Sequence, residues 1–225
     1  MWQELKSLFM GDDPAKAMGD EFMGMLRLTR EMAELVRPHV FDHLLSLERR
    51  RQILELDVEV NRLERAIRRQ IVSHLTLQRG QVPYCLALLM LVGHAERVGD
   101  YVKNIAEVEQ LGGGVLPEGP LREELSDLIA ISHRLLEETP DILSKQDHER
   151  ADELLRIARN ANKRSDKLLV ELSKSDLSPA QVTSMVLLAR FYRRITGHMK
   201  NILTSVVMPV HNLDYFADEL GQDEQ

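Results

Sequence analysis

Apolar residues recur at spacings of three and four along nearly the whole chain, and strict alternation is scarce, so the pattern predicts helices throughout. A first helix is expected from Asp13-Pro14, with the aspartate as cap and the proline in the first turn. Met18, Phe22, Met25, Leu26, Leu28 and Met32 outline its core stripe. Pro38 interrupts the segment, which is expected to resume through Val40, Leu44 and Leu47. A second helix is expected from Leu47 or Arg51 to Leu77, with Leu56, Val60, Leu63, Ile67 and Ile71 on its apolar side. Gln78-Arg79-Gly80 closes it, and Val82-Pro83 opens a third helix running to about Leu111.

Gly112-Gly113-Gly114, followed by Pro117 and Pro120, is the strongest breaker and divides the chain into nearly equal halves. Three helices are expected beyond it, over Leu121–Leu143, His148–Leu172 and Pro179–Val207, with Met208-Pro209 ending the last. The halves also resemble each other. Glu96-Arg97-Val98-Gly99-Asp100-Tyr101-Val102-Lys103-Asn104-Ile105 aligns at an offset of 97 with Arg193-Arg194-Ile195-Thr196-Gly197-His198-Met199-Lys200-Asn201-Ile202. Both segments carry an Arg, an aliphatic residue and the run Lys-Asn-Ile. The expectation is an all-α fold of two tandem three-helix bundles: residues 1–111, a linker at 112–120, and residues 121–225.

Charge and composition narrow the function classes. The net charge is −7, and the two halves divided at residue 110 carry −2 and −5, which argues against a nucleic-acid partner. The single cysteine, Cys85, excludes an internal disulfide and a cysteine-cluster zinc site, and it fits a reducing compartment. The longest apolar run, Tyr84 to Val92, is far shorter than the ~20 residues that span a bilayer. No targeting segment is visible at Met1 to Met10, so a soluble, cytoplasmic chain is expected. Trp2, Leu5 and Phe9 share one face of a short helix, suited to packing on its own domain or to peripheral membrane contact.

The polar positions carry the chemistry. Glu96, Asp100, Asn104 and Glu107 fall on one stripe of the third helix, and Asp57, Asn61, Glu64 and Arg68 form a comparable stripe on the second. A tight turn at Gln78-Arg79-Gly80 makes these helices antiparallel neighbours, so Asp57 can lie opposite Glu96 and Asp100 if the register allows. Carboxylates one helical turn apart repel unless a cation joins them, and a hard cation would take oxygens from both helices. The simpler reading is a solvated face whose ion-pair partners are Arg68, Arg97 and Lys103.

Glu96-Arg97-Val98-Gly99-Asp100 followed by Asn104-Ile105 resembles the signature of the PhoU family, the bacterial phosphate-uptake regulators. Asp57-Val58-Glu59-Val60-Asn61-Arg62-Leu63-Glu64 is similar to that family's acidic second-helix segment. The resemblance implies two three-helix repeats and metal binding through an E(D)-x-x-x-D motif on the third helix of each repeat. It implies Glu96 and Asp100 as metal ligands, with Asp57 and Glu64 from the second helix and Asn61 or Asn104 as weaker contributors. The ion would be divalent or trivalent; iron, Mn, Mg, Ca and Zn all remain open. The implied role is non-enzymatic regulation of phosphate uptake and phosphate signalling, by contact with a membrane phosphate transporter or a sensor histidine kinase.

The second half departs from this pattern. Arg193 stands where Glu96 stands, Gly197 where Asp100 stands, and Asn160-Ala161-Asn162-Lys163-Arg164 is short of carboxylates. Neither arginine nor glycine supplies a side-chain ligand, so at most one metal site is expected, in the first half. The second half reads as scaffold, partner surface or dimer surface, and exposed apolar residues around Met208 to Phe216 suggest a homodimer. His198 reads as a stray ligand or, more simply, as a hydrogen-bonded or exposed histidine. His39 and His43, with Asp42 between them, form an inverted zinc-protease pattern whose acid is too short. No histidine follows a glutamate by three residues, as a di-iron oxidase requires. Two other classes stay open: a metal-dependent helical-bundle enzyme using Glu96 and Asp100, and a metal-free helical interaction module.

Overall fold

A computed structural model describes residues 14–41, 45–77, 81–110 and 115–213. Among the described residues there are six α-helices and no strands: α1 Pro14–Val36, α2 Leu47–Leu77, α3 Val82–Glu107, α4 Pro120–Lys145, α5 His148–Leu172 and α6 Pro179–Val207. The proposed Trp2, Leu5 and Phe9 face, the Gln78-Arg79-Gly80 turn and the triple glycine lie outside the described residues. No helix of the described residues is long and apolar enough to cross a membrane.

The helices form where the apolar stripes demand burial. Met18, Phe22, Met25, Leu26 and Met32 of α1 are buried, as are Leu88, Leu91, Ala95, Val98, Val102 and Ile105 of α3. On α2, Val60, Ile67 and Ile71 are buried, whereas Leu56 and Leu63 are only half-buried at the edge of the stripe. Each large side chain removed from water contributes roughly 1.5–3 kcal/mol, so stripes of this length outweigh modest local propensities. Ser178 opens α6 through a reciprocal cap: its Oγ accepts the Gln181 backbone N–H, and the Gln181 side chain accepts the Ser178 backbone N–H.

Helices α1, α2 and α3 pack on one another, as do α4, α5 and α6. The two triplets meet chiefly along α3 and α6, with α1 against α4 beside them, so one core runs through both. Buried hydroxyls span the second triplet, where Ser132 of α4 and Thr196 of α6 lie 2.7 Å apart. His133 of α4 joins the triplets by a 3.1 Å hydrogen bond to Glu34 of α1.

Three expectations need correction. Pro38 does not sit in a continuing helix: the chain tightens into a 3-10 turn at Arg37–His39, Val40 and Phe41 are not helical, and among the described residues the next helix begins at Leu47. Proline has no N–H to donate, and its ring clashes with the carbonyl four residues back. Residues 42–44, including His43, lie outside the described residues. Helix α3 stops at Glu107, where the Val108 N–H bonds back three residues to Ile105 and closes the last turn. The Met208 to Phe216 segment is not uniformly exposed either. A 3-10 turn at Val210–Asn212 folds against α3 and leaves Leu213 only 3% exposed, while residues 214–216 lie outside the described residues.

The shared core gives a direct stability test. Leu135 of α4 is fully buried, and Leu54 of α2 is 51% exposed. Leu135→Ala is expected to destabilise by about 2–5 kcal/mol in chemical denaturation, and Leu54→Ala by under about 0.5 kcal/mol.

Candidate functional site

The polar stripes of α2 and α3 meet in a seam. Asp57 of α2 is 8% exposed, a position that a carboxylate tolerates only with a partner. Lys103 of α3 supplies it: its Nζ lies 2.9 Å from Asp57 Oδ2 and 3.1 Å from Asp100 Oδ1. Asn61, one turn along α2, donates from Nδ2 to the same Asp57 oxygen at 3.4 Å. Gly99 lies beneath Asp57 Oδ1, at a point where Thr29 and Met32 of α1 also converge. A methyl group there would meet Asp57, Thr29 and Met32 at 3.7–3.8 Å, ordinary contact distance.

Glu64, Glu96 and Asp100 line the rest of the seam. Arg68 Nη2 holds Glu64 Oε1 at 2.7 Å, while Arg97 stands off at 3.7 Å from Glu96 and 3.9 Å from Asp100. Burial, with the negative charges of Asp100 and Glu64, pushes the Glu96 carboxyl above the usual glutamate range, and the loose Arg97 contact only partly opposes this. Burial pulls the Lys103 ammonium down, but its hydrogen bonds to Asp57 and Asp100 and their charges outweigh that and raise it. Lys103 therefore remains a cation through neutral pH.

Carboxylate and amide oxygens are the donor set of hard cations, so the chemistry of these residues fits such an ion. Their present arrangement does not offer it an open seat. The Lys103 ammonium stands between Asp57 and Asp100, and among the described residues no three His, Cys, Asp or Glu side chains converge as a metal cage would require. An ion held by Asp57 and Asp100 requires Lys103 to leave.

Of the six residues singled out from the sequence, Asp57, Asn61 and Asp100 are joined through hydrogen bonds to one another or to Lys103. Glu64 and Glu96 join them through charge. Asn104 is half-buried one turn beyond Asp100 and enters none of these hydrogen bonds, and Glu107 is exposed at the end of α3. The feature missed from the sequence is the bridging role of Lys103. Its spacing from Asp100 was visible as a helical pair, but its reach to Asp57 depends on how α2 and α3 register.

The corresponding region of the second repeat is closed by other means. Arg193, in the place of Glu96, bonds Asp166 of α5 at 2.9 Å. Arg164 of α5 forks onto Glu124 of α4 at 2.8 and 2.7 Å, which holds that carboxyl below the usual range. Nothing stands within 4 Å of where a side chain on Gly197 would begin.

The raised Glu96 carboxyl has a signed consequence. The folded state binds that proton more tightly than the unfolded chain, so ionised Glu96 opposes folding, and stability falls as pH rises from the ordinary glutamate value through the raised one. In chelator-treated buffer Glu96→Gln is expected to raise the melting temperature at pH 7 by about 1–3 °C. Differential scanning calorimetry should show that gain vanish below about pH 4, where the wild-type carboxyl is protonated in both states.

Residues 22–108 match the family model described as the PhoU domain, a span that contains α2, α3 and the whole acidic seam. A Synechocystis protein, the phosphate-specific transport system accessory protein PhoU homolog, is 24% identical over 199 residues, covering 85% of this chain and 87% of that relative. The crystal structure of PhoU from Pseudomonas aeruginosa superposes with a TM-score of 0.72 at 18% identity, covering 86% of this chain and 95% of that one. The phosphate transport system regulatory protein PhoU from Streptococcus pneumoniae gives 0.69 at 19% identity, covering 85% and 92%. These two likenesses concern the fold and extend through both repeats, whereas the family-model match lies in the first. Taken together, these likenesses give residues 22–108 the character of a PhoU domain and the chain as a whole a PhoU-like fold.

Proposed function

We propose that the chain is a non-enzymatic regulator of phosphate uptake and phosphate-responsive signalling, acting in the cytoplasm by contact with a membrane phosphate transporter or a sensor histidine kinase. The observation that carries this reading is the likeness to the Synechocystis phosphate-transport accessory protein over 85% of the chain. The ion pairing of the seam supports a binding role, since each of its carboxylates faces a cationic side chain. Apolar residues on the same two helices support a partner surface: Leu54 and Val58 of α2 and Leu86, Leu89 and Met90 of α3 are all exposed.

Metal binding belongs to the proposal. Asp57 and Asp100 would hold a hard divalent or trivalent cation in exchange for Lys103, with Glu64, Glu96 and Asn61 beside them and Asn104 as a weaker donor. Such an ion would supply charge neutralisation and change which charges face the partner. The Lys103 bridge itself favours a second reading, a metal-free interaction module in which the lysine is the permanent counter-charge. Mn²⁺ titration separates the two: the first expects Lys103→Met to tighten Mn²⁺ binding, and the second expects no Mn²⁺ binding by either protein.

The regulatory role is tested in the host. Deleting the gene is expected to uncouple the rate of radiolabelled phosphate uptake from external phosphate, with the wild-type copy restoring control. A tagged chain should retain a phosphate transporter or histidine kinase from detergent-solubilised membranes, and Leu54→Ser/Val58→Ser should lose it while keeping the wild-type melting temperature. Unchanged uptake control in the deletion strain would overturn the proposal.

A further inference from the structure

Helices α3 and α6 carry a cluster of four rings where the repeats meet. Tyr101 and His198 stack with centroids 5.7 Å apart, His94 lies 5.3 Å from His198, and Phe191 lies 6.1 Å from Tyr101. The 97-residue offset that aligns the repeats pairs His94 with Phe191 and Tyr101 with His198. The His94–His198 contact and the Tyr101–Phe191 contact are therefore the same contact, related by the internal repeat. On one side it is made by two aromatic rings that need only to pack. On the other it is made by two imidazoles whose Nδ1 atoms face each other at 3.0 Å.

We propose that His94 and His198 form a two-histidine site for a borderline transition-metal dication of the Zn²⁺ class, clipping the repeats together across α3 and α6. Metal–imidazole bonds of ~2.0–2.1 Å at the angles such ions adopt put the two nitrogens ~2.9–3.4 Å apart, and the observed spacing falls in that range. Imidazole nitrogen suits Zn²⁺, Cu²⁺, Ni²⁺ and Co²⁺, whereas the carboxylate seam suits harder ions. Without an ion the facing Nδ1 atoms share one hydrogen bond, one ring donating and the other accepting. To present both lone pairs, the donating ring moves its proton from Nδ1 to Nε2, and both rings stay neutral. Each ring is half-buried, which lets water complete the coordination.

This site is separate from the acidic seam. Two residues along a helix turn it by ~200°, so His94 and Glu96 point to opposite sides of α3, one toward α6 and the other toward α2. Because the two ligands come from different repeats, the ion binds the folded arrangement and not the unfolded chain, and it stabilises the fold by mass action.

The test uses the full chain, stripped of metal and titrated with ZnCl₂ against a chromophoric chelator, with thermal melts at each step. The variant His94→Phe/His198→Tyr installs the residues that the repeat uses on the other side, so its packing is supplied by the fold's own precedent. It is expected to keep the metal-free melting temperature, to lose the Zn²⁺-induced rise, and to bind Zn²⁺ about tenfold more weakly or worse. In Asp57→Asn/Asp100→Asn a Zn²⁺-induced rise is expected to persist and to be abolished by adding His94→Phe/His198→Tyr, which separates this site from any binding at the seam. Should the double histidine variant not fold, His94→Gln is read by Cu²⁺ paramagnetic resonance, where nitrogen coupling should fall from two imidazoles to one. Wild-type Zn²⁺ affinity in the double variant, two coupled nitrogens in His94→Gln, or no Zn²⁺-dependent melting shift in the wild type would overturn the proposal.

Discussion

One ammonium against two carboxylates sets the character of the first repeat. Asp57 is almost wholly buried, and a carboxylate taken out of water without a partner costs several kcal/mol. Lys103 answers both Asp57 and Asp100, tying α2 to α3 across the seam, while Asn61 adds a weaker donor. The surrounding residues follow from that arrangement. Arg68 and Arg97 balance the outer carboxylates, and Glu96, with a loose partner, holds its proton to higher pH than an ordinary glutamate.

The duplicated fold makes the asymmetry legible. Both repeats present a third helix to the molecular centre, and α3 and α6 share the principal contact between them. In the second repeat the acidic positions have become Arg193 and Gly197, and fixed pairs such as Arg193–Asp166 and Arg164–Glu124 leave no concentration of negative charge there. One repeat thus keeps a cluster of four carboxylates around Lys103, while the matching face of the other carries fixed Arg–carboxylate pairs and open space at Gly197.

Much of this was readable in the sequence, because helical periodicity reports directly on burial. The bounds of α2, α5 and α6 follow from Leu47, Leu77, His148, Leu172, Pro179 and Val207, and the acidic stripes follow from spacing alone. What stayed hidden depends on tertiary register. Lys103 could be seen near Asp100 but not near Asp57, and His94 and His198 are 104 residues apart in the chain. The segment after Pro38 and the burial of Leu213 also lie beyond periodicity, since a 3-10 turn and a folded-back end depend on what they pack against.

The central claim is that Lys103 is the resident counter-charge of the buried Asp57 and the half-buried Asp100, and a double-mutant cycle between Asp57 and Lys103 tests it most directly. Chemical denaturation of Asp57→Asn, Lys103→Met and the double variant, in chelator-treated buffer at pH 7, gives their coupling. A half-buried, charge-assisted bridge between helices predicts a favourable coupling of about 1–2 kcal/mol. Additive effects within error would mean that the two residues do not sense each other, and the account of the seam would fall.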